Sequence, residues 1–215
     1  TRSMTRDMAG PLTTSDATPS RATPSDATTW HAVHTGAQRW PDKLALRDPD
    51  RTLTYAETLS AVTRLCGGLR GLGVGHGTVV GVMLDNHVDH ALLWLATGSL
   101  GAIECGLNPQ LRGALLRDCL EDSGAQVLVI EQAYVADVAD LLRELPALRT
   151  VIVRRSGDGA AAMPVLPPLD MRNWSEIADA APATDLGQVD GSDVFGLIYT
   201  SGSSGRPKGV LVTHA

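Results

Sequence analysis

Short apolar runs alternate with helical patterns along the middle of this chain, and this alternation limits the folds that it can adopt. The runs are residues 79–84, 102–107, 127–130 and 150–153. The helical patterns between them are residues 88–100, 111–122 and 133–145. Apolar runs of this length suit strands that are buried on both faces, and intervening helices connect such strands in parallel. The sequence therefore predicts an α/β fold that is doubly wound, with a mostly parallel sheet flanked by helices.

The segments before and after this alternation predict further elements. A hairpin is expected over residues 44–53, around a polar turn. A helix is expected to begin at Thr54, because its hydroxyl and Glu57 can form a capping box. Residues 154–172 are rich in Gly and Pro and indicate a surface excursion, with a short helix over 174–181 after it.

Three parts follow from these patterns. Residues 1–28 are rich in Thr, Ser, Pro, Ala and Asp and have almost no large apolar side chains, so we predict a disordered tail there. Residues 29–190 form the α/β subdomain. Residues 191–215 contain a strand (194–199), a glycine-rich loop and a second strand (210–212), which we interpret as the start of a next subdomain.

Composition narrows the function classes. The net charge is −6 and no basic block occurs, so neither a nucleic-acid groove nor an anionic membrane surface is indicated. The three cysteines are odd in number and lack metal-ligand spacing, which favours free buried thiols in a reducing compartment. No apolar run approaches the ~18 residues of a membrane span and the N-terminus lacks the apolar stretch of a signal peptide. We therefore expect a cytoplasmic protein without a transmembrane segment.

The loop after the 194–199 strand has the composition of a phosphate-binding site. Glycines allow backbone N–H groups to approach phosphate oxygens closely, and hydroxyl groups supply further donors. Lys208 adds a mobile positive charge that suits a polyphosphate. The predicted binding residues are Thr200, Ser201, Gly202, Ser203, Ser204, Gly205, Pro207, Lys208 and Gly209.

This loop does not have the spacing of a Walker loop. That pattern, G-x-x-x-x-G-K-S/T, places a lysine directly after its second glycine, whereas Arg206 and Pro207 separate Gly205 from Lys208 here. Pro207 also lacks the N–H that would continue a helix out of the loop. A P-loop NTPase is therefore disfavoured. The plain alternative is a polar surface turn without a ligand, but such a turn would not need two flanking apolar strands.

Several segments of the chain resemble the AMP-binding, acyl-adenylate-forming superfamily. Residues 197–209 are similar to its signature, with Ser204 where the family usually has Thr. Residues 53–57 resemble its early L-T-Y-x-E motif, and residues 107–125 resemble the acid–CoA ligase version of two further motifs. The resemblance covers about residues 30–215. It implies the N-terminal portion of the large domain of an adenylate-forming enzyme, most like an acyl-CoA synthetase.

The resemblance implies an enzyme with two half-reactions. A carboxylic acid attacks the α-phosphorus of ATP to give an acyl-AMP and pyrophosphate, and the thiol of coenzyme A then displaces AMP. The loop would bind the β- and γ-phosphates together with Mg²⁺, with Lys208 in a catalytic role and Thr200 contributing to the metal site. The implied cofactors are ATP, Mg²⁺ and coenzyme A, or a phosphopantetheinyl carrier protein in place of the last.

The resemblance also implies that further functional parts lie outside this chain. The ribose-binding Asp, the acyl pocket and a mobile C-terminal lid follow the signature in the family. We therefore expect the missing C-terminal part of the enzyme to be the chain's main partner, and exposed strand edges would also permit a homodimer. We expect the 215-residue chain alone to be inactive, without acid-dependent exchange between ATP and pyrophosphate.

Some alternatives stay open. The chain could instead belong to a peptide-synthetase-type adenylation domain that loads a carrier protein, or be a non-catalytic remnant that binds nucleotide or assists assembly. His87 and His90 are three residues apart and could bind a metal, although an N-cap at Asp85 or Asn86 is the favoured interpretation of that segment. His214 could approach the active site or have a structural hydrogen-bonding role.

Overall fold

An open, seven-stranded sheet organises the chain in the computed structural model, which describes residues 28–155, 165–200 and 207–215. The strands are β1 (Leu44–Arg47), β2 (Thr52–Thr54), β3 (Val79–Met83), β4 (Ile103–Gly106), β5 (Val127–Glu131), β6 (Thr150–Arg154), β7 (Asp170–Asn173), β8 (Val194–Thr200) and β9 (Lys208–Thr213). The helices are α1 (Thr29–Arg39), α2 (Tyr55–Gly71), α3 (Val88–Ser99), α4 (Gly113–Ser123), α5 (Gln132–Arg143) and α6 (Trp174–Ala178). The first two strands form the predicted hairpin.

The large sheet has the strand order β7-β6-β5-β3-β4-β8-β9. Every neighbouring pair is parallel except β8 and β9, which are antiparallel. The chain leaves β3 in one direction to form β4 and then crosses back to form β5 on the other side of β3. This reversal makes a topological switch point between β3 and β5, where open α/β sheets commonly bind ligands. The predicted doubly wound, mostly parallel fold is confirmed.

Helices cover both faces of this sheet. Helices α1, α2, α3 and α6 pack on one face, and α4 and α5 pack on the other. Successive residues of β5 point to opposite faces, so Val129 joins the first core and Leu128 the second, and each is at most 1% exposed. The three cysteines are free and buried, as the composition indicated.

The long helix α2 begins with the predicted capping box. The Thr54 hydroxyl accepts a hydrogen bond from the Glu57 N–H at 3.2 Å, and the Glu57 carboxylate accepts one from the Thr54 N–H at 2.7 Å. One stripe of α2 is buried against the sheet and α3. Two glycines of α2, Gly67 and Gly68, allow α6 and the segment after it to cross at close range, because a Cβ at Gly68 would lie 2.2 Å from the Ile177 carbonyl oxygen.

The structure corrects two predictions in the region after β6. Residues 154–172 are not wholly an excursion, because residues 170–173 form β7, a parallel edge strand beside β6. Helix α6 ends at Ala178, earlier than the predicted residue 181. A short, half-polar edge strand has no continuous apolar run, which is why its sequence pattern does not indicate a strand.

Other expectations lie partly outside the described residues. The tail predicted over residues 1–28 lies outside the described residues except for Thr28, whose side chain caps α1. The two strands of the 191–215 part belong to the same sheet as β3 to β7, so the division at residue 190 does not coincide with a break between sheets and stays a prediction. Among the described helices, none has the length and apolar character needed to cross a membrane.

The close contact at Gly68 predicts a selective effect of adding one methyl group. Gly68→Ala would force Ile177 and α6 away from α2, and we expect it to lower the free energy of unfolding by about 2 kcal/mol. Gly71→Ala is the matched control in the same helix, because nothing lies within 4 Å of its added Cβ and alanine is the better helix former. Urea unfolding of both variants measures the difference. Equal effects would contradict the close crossing.

Candidate phosphate-binding site

The predicted loop connects the ends of β8 and β9, two adjacent strands of the large sheet. Strand β8 ends at Thr200 and β9 begins at Lys208, and these two residues are direct partners across the antiparallel pair. The Thr200 hydroxyl donates a hydrogen bond to the Lys208 carbonyl at 3.5 Å. Thr200 stands at the carboxyl end of a strand that is parallel to its neighbour β4, which is the edge where such sheets place their ligands.

The structure describes four of the nine predicted binding residues. Ser201, Gly202, Ser203, Ser204 and Gly205 lie outside the described residues. Thr200, Lys208 and Gly209 are exposed and Pro207 is half-buried. No carboxylate within the described ranges lies at ion-pairing distance from the Lys208 ammonium. The Lys208 ammonium is therefore available to phosphate oxygens at one end of the loop, and the Thr200 hydroxyl oxygen keeps its lone pairs at the other end.

A hydrogen bond to α4 fixes the end of β8. The Tyr199 hydroxyl donates to a carboxylate oxygen of Asp122 at 2.7 Å. Burial raises the pKa of Tyr199, and the hydrogen bond to Asp122 raises it further, so the phenol stays protonated and keeps donating. The two residues are 77 positions apart and belong to two different motifs of the family resemblance, so the sequence identified both motifs but not this contact between them.

His214 lies far from Thr200 and Lys208, the two described residues that flank the loop. It follows β9, whose last residue, Thr213, pairs with Val194 at the start of β8. Six residue steps separate Val194 from Thr200, which corresponds to roughly 20 Å along the strand. His214 Nδ1 accepts a hydrogen bond from the Thr29 N–H at 3.4 Å, and its ring stacks on Phe195. Of the two roles considered for this residue, the structure supports the structural hydrogen bond.

The histidine pair at the start of α3 also has a structural role. His87 itself is the N-cap of α3, since its Nδ1 accepts from the His90 N–H at 3.1 Å. The cap is therefore neither Asp85 nor Asn86, which were the expected residues. Nε2 of His87 lies 2.7 Å from the Glu131 carboxylate. Within residues 28–155, 165–200 and 207–215, no three His, Cys, Asp or Glu side chains are arranged to hold a metal ion.

Charged side chains fill the switch point between β3 and β5. Arg154 pairs with Asp89 at 2.8 Å and with Glu131 at 3.0 Å, and Glu131 also contacts His87. Asp48, from the turn of the β1–β2 hairpin, accepts a hydrogen bond from the Val88 N–H at 2.8 Å and so caps α3 a second time. These groups satisfy one another, so the switch point itself is occupied by paired charges.

Glu104 has a partner that its sequence position did not reveal. It is 7% exposed, in the middle of β4, and its Oε1 lies 3.4 Å from His90 Nε2. The hydrogen bond to Glu104 is the largest cause that raises the pKa of His90, while burial opposes it. The imidazolium form of His90 therefore neutralises a buried carboxylate on the α3 side of the sheet.

The raised pKa of His90 predicts a pH-dependent contribution to stability. A raised folded-state pKa stabilises the fold fully below the unfolded-state value, about 6.5, and this contribution is lost as the pH rises through the folded-state value. We expect His90→Gln to lower the free energy of unfolding by about 1 kcal/mol at pH 5.5 and by less at pH 9. Denaturant unfolding at both values measures it, with Glu104→Gln as the matched partner variant. A loss that is the same at both pH values would contradict the ion pair.

The chain is similar to known proteins over most of its length. A family model described as AMP-binding enzyme matches residues 33–215. A medium/long-chain-fatty-acid–CoA ligase of Mycobacterium tuberculosis is 34% identical over 178 residues, covering 83% of this chain and 28% of the relative. A 4-coumarate–CoA ligase of Narcissus pseudonarcissus is 31% identical, covering 77% and 28%. Acetyl-coenzyme A synthetase 1 of Candida albicans is 32% identical, covering 84% and 29%. The chain thus spans less than a third of the length of these relatives.

Solved structures share the same architecture. An anthranilate–CoA ligase in complex with anthranoyl-AMP superposes with a TM-score of 0.75 at 24% identity, covering 92% of this chain and 36% of that one. A fatty acyl-CoA synthetase of Mycobacterium tuberculosis superposes with a TM-score of 0.70 at 25% identity, covering 89% and 35%. The family model matches most of the chain, including both strands that flank the loop. The chain therefore belongs to the AMP-binding enzyme family.

Proposed function

We propose that this chain supplies the ATP-phosphate-binding part of an acyl-adenylate-forming acid–CoA ligase. The observation that carries the proposal is the β8–β9 hairpin, in which Thr200 and Lys208 pair directly with each other and flank the glycine-rich loop. The family match and the names of the relatives support the same reaction class. The reaction would activate a small-molecule carboxylic acid as its acyl-AMP, release pyrophosphate, and pass the acyl group to the thiol of coenzyme A.

Each of the hairpin residues would have its own role in the proposed reaction. The Lys208 ammonium would neutralise charge on the β- and γ-phosphates as pyrophosphate leaves, and the loop N–H and hydroxyl groups would hold those phosphates in place. Thr200 would contribute its hydroxyl oxygen to a bound Mg²⁺, which suits oxygen ligands. Pro207 and Gly209 would shape the return of the chain into β9. Gly209 fits that task, because a Cβ there would lie 2.8 Å from a methyl group of Leu197.

The names of the relatives help to decide whether this segment serves the ATP step or the selection of the acid. They refer to fatty acids, coumarate and acetate, at 31–34% identity to this chain. These acids differ greatly in size and polarity, so a segment common to all three suits the ATP step rather than the choice of acid. Coenzyme A appears in each of the three names and is the acceptor that we propose. A cytoplasmic location, a homodimer and a C-terminal partner segment stay predictions.

The lysine content of the chain allows a sharp test of the proposal. Lys43 and Lys208 are its only two lysines. An acyl-phosphate derivative of ATP transfers its acyl group to an amine that lies beside the bound phosphates, and peptide mass spectrometry locates the modified lysine. We expect Lys208 to be labelled, and both ATP and pyrophosphate to suppress the labelling. Lys43, whose ammonium lies 5.2 Å from the centroid of the Trp40 ring, should show background labelling only.

Variants of the same two residues complete the test. We expect Lys208→Ala to weaken ATP binding by about tenfold, because a charge-assisted contact to phosphate is lost. Lys43→Ala removes the same charge elsewhere and should leave ATP binding unchanged. Labelling of both lysines to the same extent, or labelling that ATP does not suppress, would exclude the proposed site.

A further inference from the structure

His214, which follows β9, connects the β8–β9 hairpin to the start of α1 through a hydrogen bond from the Thr29 N–H to its side chain, called the tie below. We propose that His214 is a positioning residue for phosphate binding, whose neutral imidazole holds the hairpin in the orientation that presents Lys208 and Thr200 to the phosphates. This inference rests on the proposed function, because it assumes that the loop binds ATP. It concerns a residue that lies roughly 20 Å along the hairpin from Thr200 and Lys208.

The tie satisfies a backbone donor at the helix start. The first N–H groups of any α-helix have no partner within the helix. In α1, the Thr28 side chain accepts from the His31 N–H at 3.2 Å, and His214 Nδ1 accepts from the Thr29 N–H at 3.4 Å. His214 therefore acts as a second cap of α1, from a position 185 residues away in the sequence.

Packing confines the imidazole on its other sides. Its ring stacks on Phe195 with centroids 4.5 Å apart and an interplanar angle of 18°. Phe195 in turn contacts the edge of Trp94 on α3. Gly98 on α3 leaves room for this arrangement, since a Cβ there would lie 2.5 Å from the Thr29 hydroxyl oxygen and 3.2 Å from His214 Cε1. Elements α1, α3 and β8 thus all contact or border one side chain of the hairpin.

Strand β9, unlike β8, has few other attachments within the described residues. Strand β9 is at the edge of the sheet and pairs with β8 alone. Val210 and Leu211 on β9 are 50% and 63% exposed. Beyond the pairing with β8, the described chain holds the end of β9 through the His214 side chain and through two backbone hydrogen bonds. The His214 N–H donates to the Asp193 carbonyl at 3.3 Å, and the Ala215 N–H donates to the Gly191 carbonyl at 2.9 Å. Loss of the His214 contact should therefore loosen β9, and with it the position of Lys208 at its other end.

The tie depends on the charge of the imidazole. Nδ1 accepts a hydrogen bond and so carries no proton, and Nε2 has no hydrogen-bond partner among the described residues. Burial lowers the pKa of His214, and the nearby Asp193 carboxylate, which pairs with His76 at 3.1 Å, opposes this. Helix α1 presents its positive N-terminus to the ring, and the part of α3 that borders it, at Gly98, carries no charge.

Acidification should therefore release the tie. Because the folded-state pKa of His214 is lowered, its contribution is complete above the ordinary histidine value of about 6.5 and is lost as the pH falls below it. A proton on Nδ1 would turn the acceptor into a donor that faces the Thr29 N–H. We expect the affinity for ATP to fall over the same range of pH.

Two substitutions at His214 separate the effect of ring stacking on Phe195 from the effect of the hydrogen-bond acceptor. His214→Phe keeps the stacking on Phe195 but removes the acceptor, and His214→Asn restores an acceptor oxygen close to the position of Nδ1. We expect His214→Phe to weaken ATP binding by about tenfold and to speed hydrogen exchange of the β9 amides. His214→Asn should stay within about twofold of the parent, and its ATP affinity should lose the decline between pH 7 and 5.5.

A variant on α3 tests the same tie without altering the hairpin. Gly98→Ala presses on Thr29 and His214 and should also speed exchange in β9, so it serves where His214→Phe does not fold. Parent-like ATP binding by folded His214→Phe would overturn the positioning role, even with a lower melting temperature. A parent protein that does not bind ATP would overturn the proposed function as well, whereas unchanged β9 exchange in His214→Phe would overturn the tie alone.

Discussion

The parallel pairing of β8 with β4 is the interaction on which the candidate site depends. It joins two strands that are about ninety residues apart in the chain, through Glu104 opposite Gly196, Cys105 opposite Leu197 and Gly106 opposite Ile198. This register aligns the carboxyl end of β8 with the carboxyl ends of the other parallel strands. The loop therefore begins at the edge where open α/β sheets commonly bind ligands, and β9 returns antiparallel to bring Lys208 beside Thr200.

The rest of the fold supports this pairing through two apolar cores and a set of buried polar contacts. Strands β3, β4 and β5 are buried between helices on both faces, which fixes their side-chain alternation and so their register. Buried or half-buried polar groups within this arrangement are matched to one another: His90 faces Glu104, and His87 and Arg154 face Glu131. A buried polar group that loses its partner is costly, so these pairs also restrict how α3 can sit on the sheet.

Much of the fold could be predicted from the sequence because its signals are local. The apolar runs of β3, β5 and β6 and the Thr54 capping box indicate their elements without knowledge of any distant contact. The glycine-rich segment after β8 likewise indicated the candidate site, and four of its nine predicted residues lie within the described part of the chain. Strand β7 was missed because a half-polar edge strand is defined by its pairing with β6 and not by its own pattern.

Two long-range contacts of the loop-bearing hairpin could not be predicted in this way. The Tyr199–Asp122 hydrogen bond and the capping of α1 by His214 join residues 77 and 185 positions apart, and no local pattern carries that information. The cap of α3 shows a related difficulty. Residue preference favours Asn or Asp, but the backbone places His87 at the cap, where its Nδ1 can accept the hydrogen bond.

We propose that the loop between β8 and β9 binds the β- and γ-phosphates of ATP, and titration calorimetry with ATP, pyrophosphate and AMP, each in the presence of Mg²⁺, measures this binding. We expect pyrophosphate to bind with an affinity close to that of ATP and to compete with it. AMP, which lacks both of these phosphates, should bind at least about tenfold more weakly. Binding of AMP as tight as that of ATP, without competition from pyrophosphate, would show that the loop does not bind these phosphates.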